Sequence, residues 1–207
     1  MDKKTKKNQK KNSCKGSSKS LVNYLQFPKE WHKNFDEKEA FCSKLPPTSE
    51  EYLLVYSRIT STLDCNITSI KRIENPFLLG CYLLKKKEYK AKGIKVKEQK
   101  VFHCTSESNV SNIVKNNFDW RKTIRGKFGL GVSFSPSARY ADRHANSSIG
   151  IKRAMIMVKV LTGRVLNANY GFKVPPSGFD TTAGNGNMVY VKYDDYEFYP
   201  MFVAYYS

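Results

Sequence analysis

Three short stretches hold the residues whose types could do chemistry. In "VFHCTSES", His103 sits inside an apolar run and is followed by Cys104, Thr105 and Ser106. An imidazole beside a thiol and two hydroxyls can bind hydroxyl or amide groups, or move a proton. The chain has only three histidines, and a lone strand histidine reads first as a hydrogen-bonded core residue, because buried polar groups find partners. In "GKFGLGVSFSPS", Gly129 and Gly131 fall short of a dinucleotide fingerprint, since the third glycine and the distal acid are missing. The GK[ST] ending of a phosphate loop is absent too, and Ser133 lacks the glycine at 135 that a nucleophile elbow requires. Alone, this loop reads as a bulge leading into a strand. The third stretch, "FSPSARYADRHA", places Ser137, Tyr140, Ala141 and His144 at helical spacing.

Five cysteines (Cys14, Cys42, Cys65, Cys81 and Cys104) form no CxxC pair. Neither a zinc centre nor a disulfide framework is indicated, and a reducing compartment is expected. No apolar window approaches a membrane span and the N-terminus lacks a signal-peptide core, so a cytoplasmic or nuclear location is expected.

The elements that position these residues follow from caps and periodicity. Thr48 and Glu51 have capping-box spacing after Pro46-Pro47, and Tyr52, Val55, Tyr56 and Ile59 form one stripe. Asn75 as N-cap, Pro76 at the first helical position and Gly93 as stop mark a second helix. Beyond Val101 the period changes. "VFHCT" reads as a strand, "ESNVSNIVKNNF" as a helix with Val110, Ile113 and Val114 inward, and "AMIMVKVLTGRVL" as a buried strand. The C-terminal "MVYVKYDDYEFYPMFVAYYS" reads as two strands around Asp194-Asp195. The expected class is α+β, helices first and an antiparallel sheet after.

At 207 residues and 40% hydrophobic content, one domain is expected. The formal charge of +18 is concentrated in part in residues 1–20, where eight lysines face Asp2 alone. This segment is expected to be a disordered tail, with residues 21–207 forming the domain. Such a tail serves either as a solvated extension or as a nuclear-localisation or RNA-tethering arm. The rest is still basic by about eleven charges, which suits an anionic ligand, dinucleotide or nucleic acid.

The order of the segments adds a resemblance. "RIENPFLLGCYLLKKKEY", "FHCTSESNVSNIVKNNFDWR", "GLGVSF", "MVKVLTGRV", "VPPS", "FDTT" and "YEFYPMFVAYY" follow one another along Tyr24 to Ser207. Together they resemble the catalytic domain of the poly(ADP-ribose) polymerase superfamily, in its mono-ADP-ribosyltransferase branch. The resemblance implies the ADP-ribosyltransferase fold, a split antiparallel β-sheet with N-terminal and flanking helices. It implies NAD as substrate, no metal, and transfer of ADP-ribose to a protein side chain with loss of nicotinamide, a glycosyl transfer.

Residue by residue, the resemblance implies His103 on an NAD ribose hydroxyl, Thr105 as the hydroxyl residue two positions on, and the Cys104 backbone as carboxamide clamp. Gly131 belongs to the loop of the cofactor site. Ser133 stands where the family has a tyrosine stacked on nicotinamide. Loss of that ring removes about 1 to 3 kcal/mol of stacking, roughly a ten- to hundredfold loss of affinity. Read without gaps, Ala141 and His144 fall on the carboxamide serine and the second stacking aromatic. A gapped reading gives those places to Ser137 and Tyr140. The third triad position is Val189, where polymer-forming members carry glutamate, so only single units are expected to be transferred. Two functions stay open: a mono-ADP-ribosyltransferase with a degenerate triad (His103, Ser133, Val189), and an inactive relative serving as a protein- or RNA-binding module.

Overall fold

The computed structural model describes residues 27–31, 39–123, 126–145 and 152–207. The lysine-rich segment 1–20 lies outside the described residues.

The first helix, α1 (Glu50–Thr60), begins one residue later than its expected cap. Ser49, not Thr48, accepts from the Tyr52 N–H at 3.2 Å, while its hydroxyl donates to the Pro46 carbonyl at 2.8 Å. Glu51 is then unavailable for a capping box and pairs with Arg72. Val55 and Ile59 are buried, but Tyr56 of the expected stripe is exposed. α2 (Pro76–Ala91) has Asn75 as N-cap and Pro76 at its start, and Gly93 follows at φ +67°, where a left-handed residue ends a helix. α3 (Glu107–Asn116) buries Val110, Ile113 and Val114 as expected.

The strands are more numerous than the sequence suggests. β1 (Phe41–Lys44) and β2 (Ile67–Glu74) lie on either side of α1, so the helices do not all precede the sheet. β2 escapes period-2 reading because a bulge between Ile67 and Ser69 puts two isoleucines three residues apart on one face. β3 (Lys97–Ser106) extends the short strand expected at "VFHCT". The run "AMIMVKVLTGRVL" is two strands, β5 (Arg153–Thr162) and β6 (Val165–Asn167). The chain turns between them because the Asp180 carboxylate accepts from the backbone N–H groups of Gly163 and Arg164 at 3.1 and 2.6 Å.

The remaining elements are β4 (Val132–Phe134), α4 (Ala138–Arg143), β7 (Thr181–Gly184), β8 (Val189–Lys192) and β9 (Phe198–Tyr206). They build a five-stranded sheet in the order β1-β2-β9-β5-β3 and a four-stranded sheet in the order β4-β8-β7-β6. All pairings are antiparallel except β6 with β7, which is parallel and departs from the expected antiparallel rule. A single bridge between Phe102 and Ser135 joins the two sheets. β5, between β9 and the edge strand β3, is buried on both faces. Met155, Met157 and Leu161 enter the core shared with α1 and α2; Ile156, Val158 and Val160 enter the core shared with α3 and the small sheet. Each face thus contributes apolar area worth about 25 cal/mol per Å² removed from water. Among the described residues no helix is long and apolar enough to cross a membrane.

Candidate active site

β3 is an edge strand, and its free edge forms the site. Phe102 turns its N–H and C=O outward, bonding the Ser135 C=O and N–H at 2.7 and 2.9 Å. Alternation along a strand gives Cys104, two residues on, the same outward backbone direction, whereas His103 between them faces β5. The N–H and C=O of Cys104 are therefore turned side by side towards an edge with no paired strand there among the described residues. Its backbone lies outside the left-handed region, so a cysteine adopts this conformation without strain. Its side chain turns inward to the Tyr206 hydroxyl at 3.2 Å, and burial pushes the thiol above its ordinary pKa. A buried thiol held protonated is not a nucleophile.

The His103 ring is fixed by three contacts. Nδ1–H donates to the Ser133 carbonyl at 2.9 Å, and Phe118 and Phe134 meet the ring edge to face at 4.9 and 5.9 Å. Burial lowers the imidazole pKa, against the opposing pull of the Ser133 carbonyl. A neutral ring donating through Nδ1 keeps Nε2 as an acceptor. Thr105 is buried and accepts from the Asn109 side chain at 3.1 Å, in the first turn of α3. Sequence patterning does not single out Asn109; its i,i+4 spacing from Thr105 is the one signal that could have found it.

Ser133 is exposed on β4 and pairs with Val191 of β8. Residues two apart on a strand share a face, so Val189 lies on the same face as Ser133, opposite Gly184 of β7. His103 thus touches the Ser133 backbone, and Val189 joins them through the sheet. Val189 is buried, as a strand core residue also would be. Gly131 packs so closely on β8 that a Cβ there would stand 2.3 Å from the Lys192 carbonyl. Gly184 carries the Phe128 ring directly above it, and a Cβ at 184 would stand 2.3 Å from that ring's Cγ, so no side chain fits.

α4 closes one side. Ser137 is its N-cap, accepting from the Tyr140 N–H at 3.2 Å. The helix is fastened inward by Asp142, which accepts from the Tyr206 hydroxyl at 2.6 Å and Arg153 at 2.7 Å. Outward, the Tyr140 and His144 rings lie 4.2 Å apart. Ala141 is half-buried against the core beside them. Both alternative residue pairs therefore lie on this one short helix, and an aromatic ring is at hand in either.

The site offers a backbone donor and acceptor, a neutral imidazole and two hydroxyls, without an activated nucleophile. Groups of these types can donate to and accept from amide and hydroxyl groups. Residues 49–200 match the family model of the poly(ADP-ribose) polymerase catalytic domain. The chain belongs to that family. It is 30% identical over 186 residues to the protein mono-ADP-ribosyltransferase PARP14 of Homo sapiens, a match covering 81% of this chain and 10% of that protein. It is 28% identical over 177 residues to the Homo sapiens mono-ADP-ribosyltransferase PARP12, covering 79% of this chain and 25% of the relative. The Mus musculus mono-ADP-ribosyltransferase PARP11 is 32% identical over 153 residues, covering 62% and 46%. The chain therefore spans between a tenth and about half of these relatives' lengths. The α+β architecture with two antiparallel-rich sheets is that of this polymerase family, as expected.

Proposed function

We propose that this chain binds NAD at the β3 edge and transfers single ADP-ribose units to a protein side chain. The observation that carries the reading is the outward N–H and C=O of Cys104, unpaired among the described residues, beside the fixed His103 ring. A carboxamide needs one donor and one acceptor side by side, which this edge supplies. His103 Nε2 accepts from a ribose hydroxyl, with the Thr105 hydroxyl two residues on and Gly131 in the cofactor loop. Ser133, on the same sheet face as Val189, replaces a stacking ring by a hydroxyl. The second wall comes from α4, through Ala141 and His144 or through Ser137 and Tyr140.

The bond from ribose C1′ to nicotinamide breaks, its electron pair leaving with nicotinamide. The cationic ribose is then attacked by an acceptor oxygen or nitrogen, which loses its proton to solvent. Preorganised acceptors and dipoles at the edge stabilise the positive charge as it develops. Val189 has no carboxylate to activate a ribose hydroxyl, so growth of a chain stops at one unit. A reducing cytoplasm or nucleus suits the four described cysteines, none of which is in a disulfide. The lysine-rich segment 1–20 would serve as a solvated extension or as a nuclear-localisation or RNA-tethering arm.

One observation favours a second reading, an inactive module that binds protein or RNA: Ser133 leaves its face without the ring that would hold nicotinamide. Incubation with NAD followed by intact-mass measurement separates the two. Single ADP-ribose additions, lost in His103→Ala, support transfer. An unchanged mass together with no rise in melting temperature at millimolar NAD supports the inactive module.

A further inference from the structure

Away from the β3 edge at Cys104, the α2–β3 connection gathers a second set of groups. Residues 85–100 hold eight lysines against Glu88 and Glu98. The two glutamates are spent: Glu98 holds Lys86 at 2.9 Å, and Glu88 holds Lys85 and Lys92. Lys90, Lys95 and Lys97 are exposed and have no carboxylate partner among the described residues. Pairing of Lys97 with Thr162 brings the turn after β5, and with it Arg164, to this corner. Lys92 and Arg164 line a cavity of about 210 Å³ whose walls include Tyr89, Ile94 and Phe179. Phe179 is 40% exposed, held out by a turn in which its N–H bonds the Pro176 carbonyl. Asp180 beside it adds no free negative charge, since its oxygens take Lys192 and two backbone N–H groups.

We propose that this corner binds single-stranded polynucleotide, with one base stacked on Phe179 at the cavity and the phosphates on Arg164, Lys90, Lys95 and Lys97. The cations alone would suit any polyanion. The exposed ring set among them, lining the cavity, selects nucleic acid over an acidic peptide, because every base has a face that stacks on an aromatic ring. None of His103, Cys104, Thr105 or Ser133 takes part, so the site stands whether or not the chain transfers ADP-ribose.

The test uses the full chain with the eight lysines of residues 1–20 changed to glutamine, and fluorescence anisotropy of a labelled 20-residue oligouridylate over a range of NaCl concentrations. The altered chain still binds; Phe179→Ala weakens binding by about tenfold or more, and Phe179→Trp keeps it. Lys95→Glu and Arg164→Glu each flatten the salt dependence by about 0.7 in the log-log slope. Melting temperatures of these exposed-site variants stay at the parent value. Loss of all binding with the tail lysines overturns the proposal. So does an unaffected Phe179→Ala, equal affinity for duplex of the same length, or displacement by poly-glutamate at equal charge.

Discussion

Under the proposed function, Ser133 is the residue on which NAD affinity would turn. It is exposed on a strand whose neighbour, Phe134, is locked into the ring cluster around His103, so a larger side chain at 133 projects from a rigid backbone. Ser133→Tyr is expected to tighten NAD binding by roughly five- to a hundredfold, from about 1 to 3 kcal/mol of stacking, as read by calorimetric titration. His103 gives a pH prediction. Its folded pKa lies below the unfolded value because burial disfavours the imidazolium. The unfolded chain therefore binds the proton first, and the stability His103 contributes is present above about pH 6.5 and lost as pH falls through the folded value. Denaturant unfolding of the wild type against His103→Gln at pH 8 and pH 5 should show the gap narrowing in acid. This chemistry was partly legible. The histidine, its following hydroxyls and Val189 could be read from the sequence, while the direction of the Cys104 backbone could not, because it depends on which strand pairs with β3.

At the scale of elements, β8 is held by one cation. Lys192 is fully buried, and its ammonium donates to Thr181 Oγ1 at 2.7 Å, Asp180 at 3.0 Å and Glu197 at 2.8 Å. Tyr89 of α2 donates to Glu197 as well, so the cluster ties β7, β8 and the approach to β9 onto α2. Burial pushes the Glu197 carboxyl up, with Lys192 pulling it back. At Asp180 burial also opposes ionisation, yet Lys192, Thr181 and two backbone N–H groups hold its pKa low. Lys192→Met leaves two carboxylates without their cation and should cost about 3 to 5 kcal/mol in denaturant unfolding. Adding Glu197→Gln should return part of that loss, since one uncompensated charge is then removed. Alternation along the sequence sets Lys192 on the face of β8 opposite Val189 and Val191, and the strand keeps it, but nothing in the sequence signals that this face is buried. Only the arrival of Asp180 and Glu197 from other segments makes burial of an ammonium tolerable.

The whole molecule carries a net charge of +18, from 36 basic against 18 acidic side chains, which ion pairing within the chain cannot reduce. Self-repulsion at that charge opposes the compact state, and screening relieves it. The melting temperature is expected to rise between 20 and 300 mM NaCl, as read by differential scanning calorimetry; a fall would mean that the pairs of Arg72 and Lys192 outweigh the repulsion.

By itself the sequence determined what is local or ordered along the chain. Asn75-Pro76 and Gly93 bound α2 through backbone groups within one turn, the three apolar residues of α3 repeat at helical spacing, and the succession of motifs identified the family. Tertiary structure decided what depends on partners far away in the chain. The bulge that shifts the phase of β2 is set by its pairing with β9. The turn at Gly163 is set by Asp180, and the split of the strands into two sheets meeting at Phe102 and Ser135 is set by pairings over tens of residues. Hydrogen-bond direction and burial belong to such pairings, and no window of sequence contains both partners.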